Sequence, residues 1–79
     1  MTLRPPKTIQ WYDSVSLLRA LPDFQGRLVP AGSIGVVVDV HDGLQGVPRE
    51  FTVEITCSPE MDFSYCDALV TAREGDLEA

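Results

Sequence analysis

Two runs of alternating apolar and polar residues constrain this chain more than any other feature. The alternating apolar positions are Ile34, Val36, Val38 and Val40 in residues 32–40, and Phe51, Val53, Ile55 and Cys57 in residues 51–57. Alternation with a period of two is the signature of β-strands that are buried on one face. We therefore expect these two faces to form the core of a small antiparallel barrel or sandwich.

Shorter segments supply the other expected elements. We predict five strands, at residues 13–18, 33–40, 51–57, 63–65 and 70–72, and single helical or 3₁₀ turns at residues 18–21 and 66–69. Phe24 and Leu28 are expected to fold back onto the core from the loop at residues 22–32. Gly35 lies inside a strand, where glycine often marks a bulge or a tight bend.

These elements predict an all-β protein: a small five-stranded SH3-like barrel with a 3₁₀ turn before the last strand. An OB-fold is the alternative, but no stretch is long enough for the helix that it needs between strands three and four. The 79 residues suit one domain. We expect an extended arm at residues 1–11, which contains Pro5 and Pro6, the barrel at 12–72, and a frayed acidic tail at 73–79.

Several short motifs carry a resemblance to a known family. They are D-S-V-S-L ending at Leu17, L-P at Leu21, G-S-I-G-V-V from Gly32, F-T-V-E-I from Phe51 and C-D-A-L from Cys66. Over residues 12–70 this pattern resembles a family of small bacterial proteins of unknown function. It is also similar to the accessory, non-catalytic SH3-like barrels found in the nitrile hydratase beta subunit and in photosystem I, which dock on a larger protein. The resemblance implies an interaction module and transfers no functional residue. Two departures are Ile55, where the family often has Phe, and a longer loop at 41–50.

Charge is spread unevenly along the chain. The net charge is −6, with +2 on residues 1–36 and −8 on residues 37–79. Affinity for nucleic acid depends largely on Lys and Arg, and an acidic surface is repelled by anionic membranes. We therefore expect no nucleic-acid or membrane binding. No secretory or lipidation pattern is present at the N-terminus, so we expect a cytoplasmic protein.

The residues that could carry chemistry are few. Cys57 and Cys66 lack the close spacing of a zinc or redox pair, and a buried free thiol is the expected state of Cys57. His41 is the single histidine, and with Asp39 and Asp42 it offers too few ligands for a zinc site. We expect no catalytic residue, no metal and no cofactor.

The sequence therefore favours a non-catalytic protein-interaction module: an accessory subunit, or a neutralising partner of the immunity or antitoxin type for another, possibly basic, bacterial protein. A homodimer through a strand edge is also open. The alternative is a small-molecule or metal sensor, or a minor enzyme with a site at an oligomer interface, marked by a pocket around His41 and Cys66. The expected partner-binding residues are the aromatic and acidic ones: Trp11, Tyr12, Asp39, Asp42, Glu50, Glu54, Glu60, Asp62 and Tyr65.

Overall fold

Strands dominate the part of the chain that the computed structural model describes, which is residues 9–43, 46, 48–57 and 66–79. In chain order the elements are β1 (Ser14–Leu17), β2 (Leu21–Pro22), β3 (Leu28–Val29), β4 (Ile34–His41), β5 (Glu50–Cys57), β6 (Leu69–Arg73), a 3₁₀ helix (Glu74–Asp76) and β7 (Leu77–Glu78). The protein is all-β, as the alternating pattern predicts. No helix in these residues has the length and apolar character needed to cross a bilayer.

The main sheet has five antiparallel strands in the order β6-β5-β4-β1-β7. β2 and β3 form a separate hairpin, which an isolated bridge between Asp23 and Val70 attaches to β6. The sheet does not close into a barrel, since β6 and β7 are its two edges. The predicted strand at residues 63–65 lies outside the described residues, and β7 is the fifth strand of this sheet.

The buried face of β5 agrees with the prediction, because Phe51, Val53 and Ile55 all lie in the core. The predicted face of β4 is wrong over its first half. Val37 is 0 % exposed, whereas Ile34 is 45 % exposed. The pairing of β4 with β5 shifts register between Ile34 and Gly35 and again between Val37 and Asp39. The second irregularity changes the buried face of β4: residues 33, 35 and 37 are buried before it, and Val40 packs against the core after it.

Gly35 lies at the first of these shifts, which confirms the irregularity expected there. A Cβ atom at this position would stand 2.5 Å from the backbone oxygen of Glu54 and 2.6 Å from Cγ1 of Val53. Both distances are far below van der Waals contact. Only glycine allows β4 to approach β5 this closely while the sheet bends.

The segment between β1 and β4 differs from the prediction. Residues 18–20 bend and Leu21 enters β2, so the helical turn expected at 18–21 is not formed. Phe24 and Leu28 are exposed rather than folded onto the core. Leu21 pairs with Val29 and both are buried, so strand alternation turns the neighbouring Leu28 outward.

Asp23 holds this hairpin together from inside. Its side chain is 2 % exposed and accepts hydrogen bonds from the backbone N–H groups of Gln25 (2.9 Å) and Arg27 (2.8 Å) and from Arg27 Nε (2.8 Å). Burial raises the pKa of the Asp23 carboxyl, but the hydrogen bonds and the Arg27 charge outweigh it, and the pKa is lowered.

The C-terminal residues form ordered elements, so the expectation of a frayed tail at residues 73–79 is wrong. Leu77 is buried and pairs with Leu17, and Leu18 N–H donates to Asp76 O at 2.8 Å. The 3₁₀ helix is at Glu74–Asp76, whereas residues 66–69 contain a turn at Cys66 and Asp67 followed by the start of β6. Pairing with β1 buries Leu77, although the mostly polar sequence of this short segment does not indicate a buried strand. At the other end of the chain Ile9, expected in the arm, is buried in the core.

Candidate protein-binding cleft

The predicted aromatic residues lie in a turn before β1. Tyr12 has a positive φ of 65°, and its N–H donates to Val37 O at 2.7 Å. The Trp11 and Tyr12 rings are tilted, with centroids 6.1 Å apart, and both side chains are exposed. They form a small exposed aromatic surface in the turn before β1. Tyr65 lies outside the described residues.

Two of the predicted acidic residues contact nitrogen atoms of neighbouring side chains. Asp39 Oδ2 lies 3.0 Å from His41 Nε2, and Asp42 Oδ1 lies 2.8 Å from Arg49 Nε. Glu50 lies in register between His41 on β4 and Arg73 on β6.

Glu54 is the exception among the described acidic residues of this set, because its partners in register are Val36 and Leu69. Glu60 and Asp62 lie outside the described residues.

The pocket that would join His41 and Cys66 is not formed. His41 pairs with Glu50 at the start of β5, whereas Cys66 Sγ contacts Thr56 O (3.8 Å) near the end of that strand. Six residues of extended chain separate Glu50 from Thr56, which is about 20 Å. Cys66 is a free thiol, and no group of three potential metal ligands occurs in the part of the chain that the structure describes.

A cleft of about 870 Å³ opens on the side of the sheet between β6 and the hairpin. Three connections surround it: Arg19 with β2, residues 48–50 before and at the start of β5, and residues 71–76 at the end of β6 and in the 3₁₀ helix. The cleft is therefore built from segments that are far apart in sequence. Among the described residues, Glu50 alone belongs to both the cleft and the predicted contact residues.

Arginine side chains from each connection line the cleft. Arg49 is held from one side by Phe51, whose ring centroid is 5.3 Å from the guanidinium carbon, a cation–π distance. Its buried Nε forms an ion pair with Asp42 Oδ1 at 2.8 Å, but the angle of this contact is not that of a hydrogen bond. Arg19 Nε lies 2.8 Å from Asp76 Oδ1. Arg73 is at the end of β6, in register with Glu50.

Asp76 connects two sides of the cleft. Its side chain is only 16 % exposed. One carboxylate oxygen contacts Arg19 and the other accepts the Arg73 backbone N–H at 3.1 Å. The 3₁₀ helix and the segment before β2 are thereby held together.

The sheet edge next to the cleft is protected against strand pairing. Phe24 N–H donates to Leu69 O (3.1 Å), so the hairpin covers the first part of β6. Farther along the hairpin, Pro22 on β2 has no N–H group, so it cannot donate a further hydrogen bond to β6. The other edge, β7, has two residues. Short and covered edges discourage association through strand pairing.

The cleft arginines were missed in the sequence because nothing local connects them. Each of the three, Arg19, Arg49 and Arg73, is a single basic residue in its own segment of the sequence. The net charge of the chain is negative, so the sequence analysis selected acidic residues as the contact residues. Comparison of the chain with protein-family models, curated proteins and solved structures finds no match.

Proposed function

We propose that this protein is a non-catalytic protein-interaction module with an SH3-like strand arrangement that is left open, and that it serves as an accessory subunit or a neutralising partner of another bacterial protein in the cytoplasm. The observation that carries the proposal is the cleft between the hairpin, the segment before β5 and the 3₁₀ helix. Its lining is charged and preorganised by Asp76 and Phe51. Preorganised surfaces lose less entropy when a partner binds.

The arrangement of the elements supports the SH3-like part of the proposal. Five strands form the main sheet, a long connection follows the first of them, and a 3₁₀ helix precedes the last, which returns to pair with the first. SH3 domains bind extended peptides in a groove on the barrel surface. An extended segment of a partner is therefore the occupant that suits the cleft.

The predicted contact residues extend this surface. Glu50 lies in the cleft, while Asp39 and Glu54 continue outward along the face of β4 and β5. Trp11 and Tyr12 add exposed aromatic area, which is enriched at binding hot spots. We propose the cleft as the primary site and these residues as its surroundings.

Selection from a displayed library of random twelve-residue peptides tests the proposal. Selected peptides are synthesised and titrated calorimetrically into the wild-type protein and the Arg49→Gln variant. We expect binding that Arg49→Gln weakens. Asp67→Asn is the matched control. Asp67 is an exposed turn residue beside Cys66, near the C-terminal end of β5, whereas Arg49 and Glu50 lie at its N-terminal end. Its positive φ of 70° suits Asn. The proposal would be refuted if the library gave no binders. It would also be refuted if Asp67→Asn lowered the affinity of the selected peptides while Arg49→Gln left it unchanged.

A further inference from the structure

We infer that the cleft recognises carboxylate groups, so that the partner segment it binds is an extended acidic peptide. This inference rests on the proposed function and specifies the chemistry of the partner. The starting observation is the distribution of arginine. Of the four arginines in the described residues, three line this one cleft, in a chain with a net charge of −6.

The orientation of the guanidinium groups supports the inference. The contacts of Arg19 with Asp76 and of Arg49 with Asp42 run through Nε. Within the described part of the chain, the forked Nη ends of these two side chains make no hydrogen bond to another residue. That forked end matches a carboxylate with two parallel hydrogen bonds, which is the strongest geometry available to arginine.

The acidic residues of the cleft oppose such a ligand unequally. Asp76 is largely buried and occupied by Arg19 and by Arg73 N–H. Glu50 is half-buried and has Arg73 and His41 as its neighbours in register. Glu74 is the exposed acid of the cleft, and its side chain makes neither a hydrogen bond nor an ion pair among the described residues. Its charge is therefore the one that an acidic ligand meets directly.

The protected edge of β6 explains why side chains rather than backbone would provide recognition. The hairpin covers one end of β6, and the N–H at the other end, that of Arg73, is already donated to Asp76. An incoming peptide cannot extend the sheet there without displacing these groups. Binding through arginine forks is consequently electrostatic, and added salt should weaken it.

Three fluorescein-labelled decapeptides test the inference. They alternate threonine with glutamate, glutamine or lysine, so that only the charge differs. Fluorescence anisotropy at low salt is expected to give the highest affinity for the glutamate peptide. Arg49→Gln and Arg73→Gln should each weaken it about tenfold, the factor that corresponds to about 1.4 kcal/mol. Glu74→Gln should tighten it about twofold, since a like charge is removed.

Opposite signs for the arginine and glutamate variants separate recognition from a loss of folding, which weakens all binding. Circular dichroism and melting temperature verify that each variant is folded. Equal or better binding of the glutamine or lysine peptide, or weaker binding to Glu74→Gln, overturns the inference. If library peptides without carboxylates bind in an Arg49-dependent manner, this inference fails and the proposed function stands. If the library yields no binder, both fail.

Discussion

Replacement of Gly35 by alanine tests the feature on which the sheet geometry depends. The new Cβ would stand 2.5 Å from Glu54 O and 2.6 Å from Val53 Cγ1, roughly 1 Å closer than ordinary contact. The first obstacle is backbone, so β4 and β5 must move apart. Overpacking of this kind costs about 3 kcal/mol, and the lower entropy of the unfolded alanine chain offsets less than about 1 kcal/mol of that cost.

We therefore expect Gly35→Ala to lower the free energy of unfolding by about 2–3 kcal/mol, a large share of the roughly 5–15 kcal/mol typical of small domains. For a domain of this size the melting temperature should fall by about 8–24 °C. Urea unfolding followed by circular dichroism measures the free energy, and a thermal scan measures the shift.

Gly75→Ala is the matched control, because a Cβ there meets nothing within 4 Å. Its stability should stay within about 0.5 kcal/mol of the wild type. The Val53→Ala background removes one of the two obstacles to the new Cβ. Gly35→Ala should thus cost less in that background, by about 1 kcal/mol. A loss below about 0.5 kcal/mol for Gly35→Ala alone would refute the close approach of the two strands.

Three further predictions concern the core, the hairpin and the C-terminus. Val37→Ala should cost about 2–3 kcal/mol and Val38→Ala less than about 1 kcal/mol, because Val37 is fully buried and Val38 is not; equal losses in urea unfolding would contradict the observed face of β4. The lowered pKa of Asp23 means that its contribution to stability is complete above the unfolded pKa, about 4, and is lost as the pH falls through the folded value. Asp23→Asn should therefore flatten the loss of stability below about pH 4, and an unchanged acid profile would show that other carboxyls cause it. Leu77→Ala should lower the free energy of unfolding by about 2–4 kcal/mol, whereas substitution of the exposed Glu78 by Gln should be neutral. If the hydrogen-exchange rates of the β1 amides were unchanged by Leu77→Ala, the β1–β7 pairing would be contradicted.

The sequence was most informative where one residue type alternates with another over a whole strand. In β5 the apolar residues alternate with Thr52, Glu54 and Thr56, so the buried face could be predicted. In β4 three consecutive valines are compatible with either face, and the local pattern cannot reveal a register shift that depends on the neighbouring strand. The shift between Val37 and Asp39 allows both Val37 and Val40, which are three residues apart, to face the core.

The candidate site was predictable only at its margin. Glu50 was singled out because of its charge, and it lies in the cleft. The arginines were not, because sequence analysis weighs charge along the chain, whereas a cleft collects side chains from distant segments. The C-terminal segment illustrates the same limit: Leu77 is one apolar residue among polar ones, and only its pairing with β1 shows that it belongs to the core.

Local alternation of side chains was enough to predict an all-β chain whose two longest strands are β4 and β5. Tertiary structure decided which face of β4 is buried, how the C-terminus returns to β1, and that Arg19, Arg49 and Arg73 line one cleft. These features depend on contacts between residues far apart in the chain. Such contacts arise from register, bulges and packing, which no short stretch of sequence encodes alone.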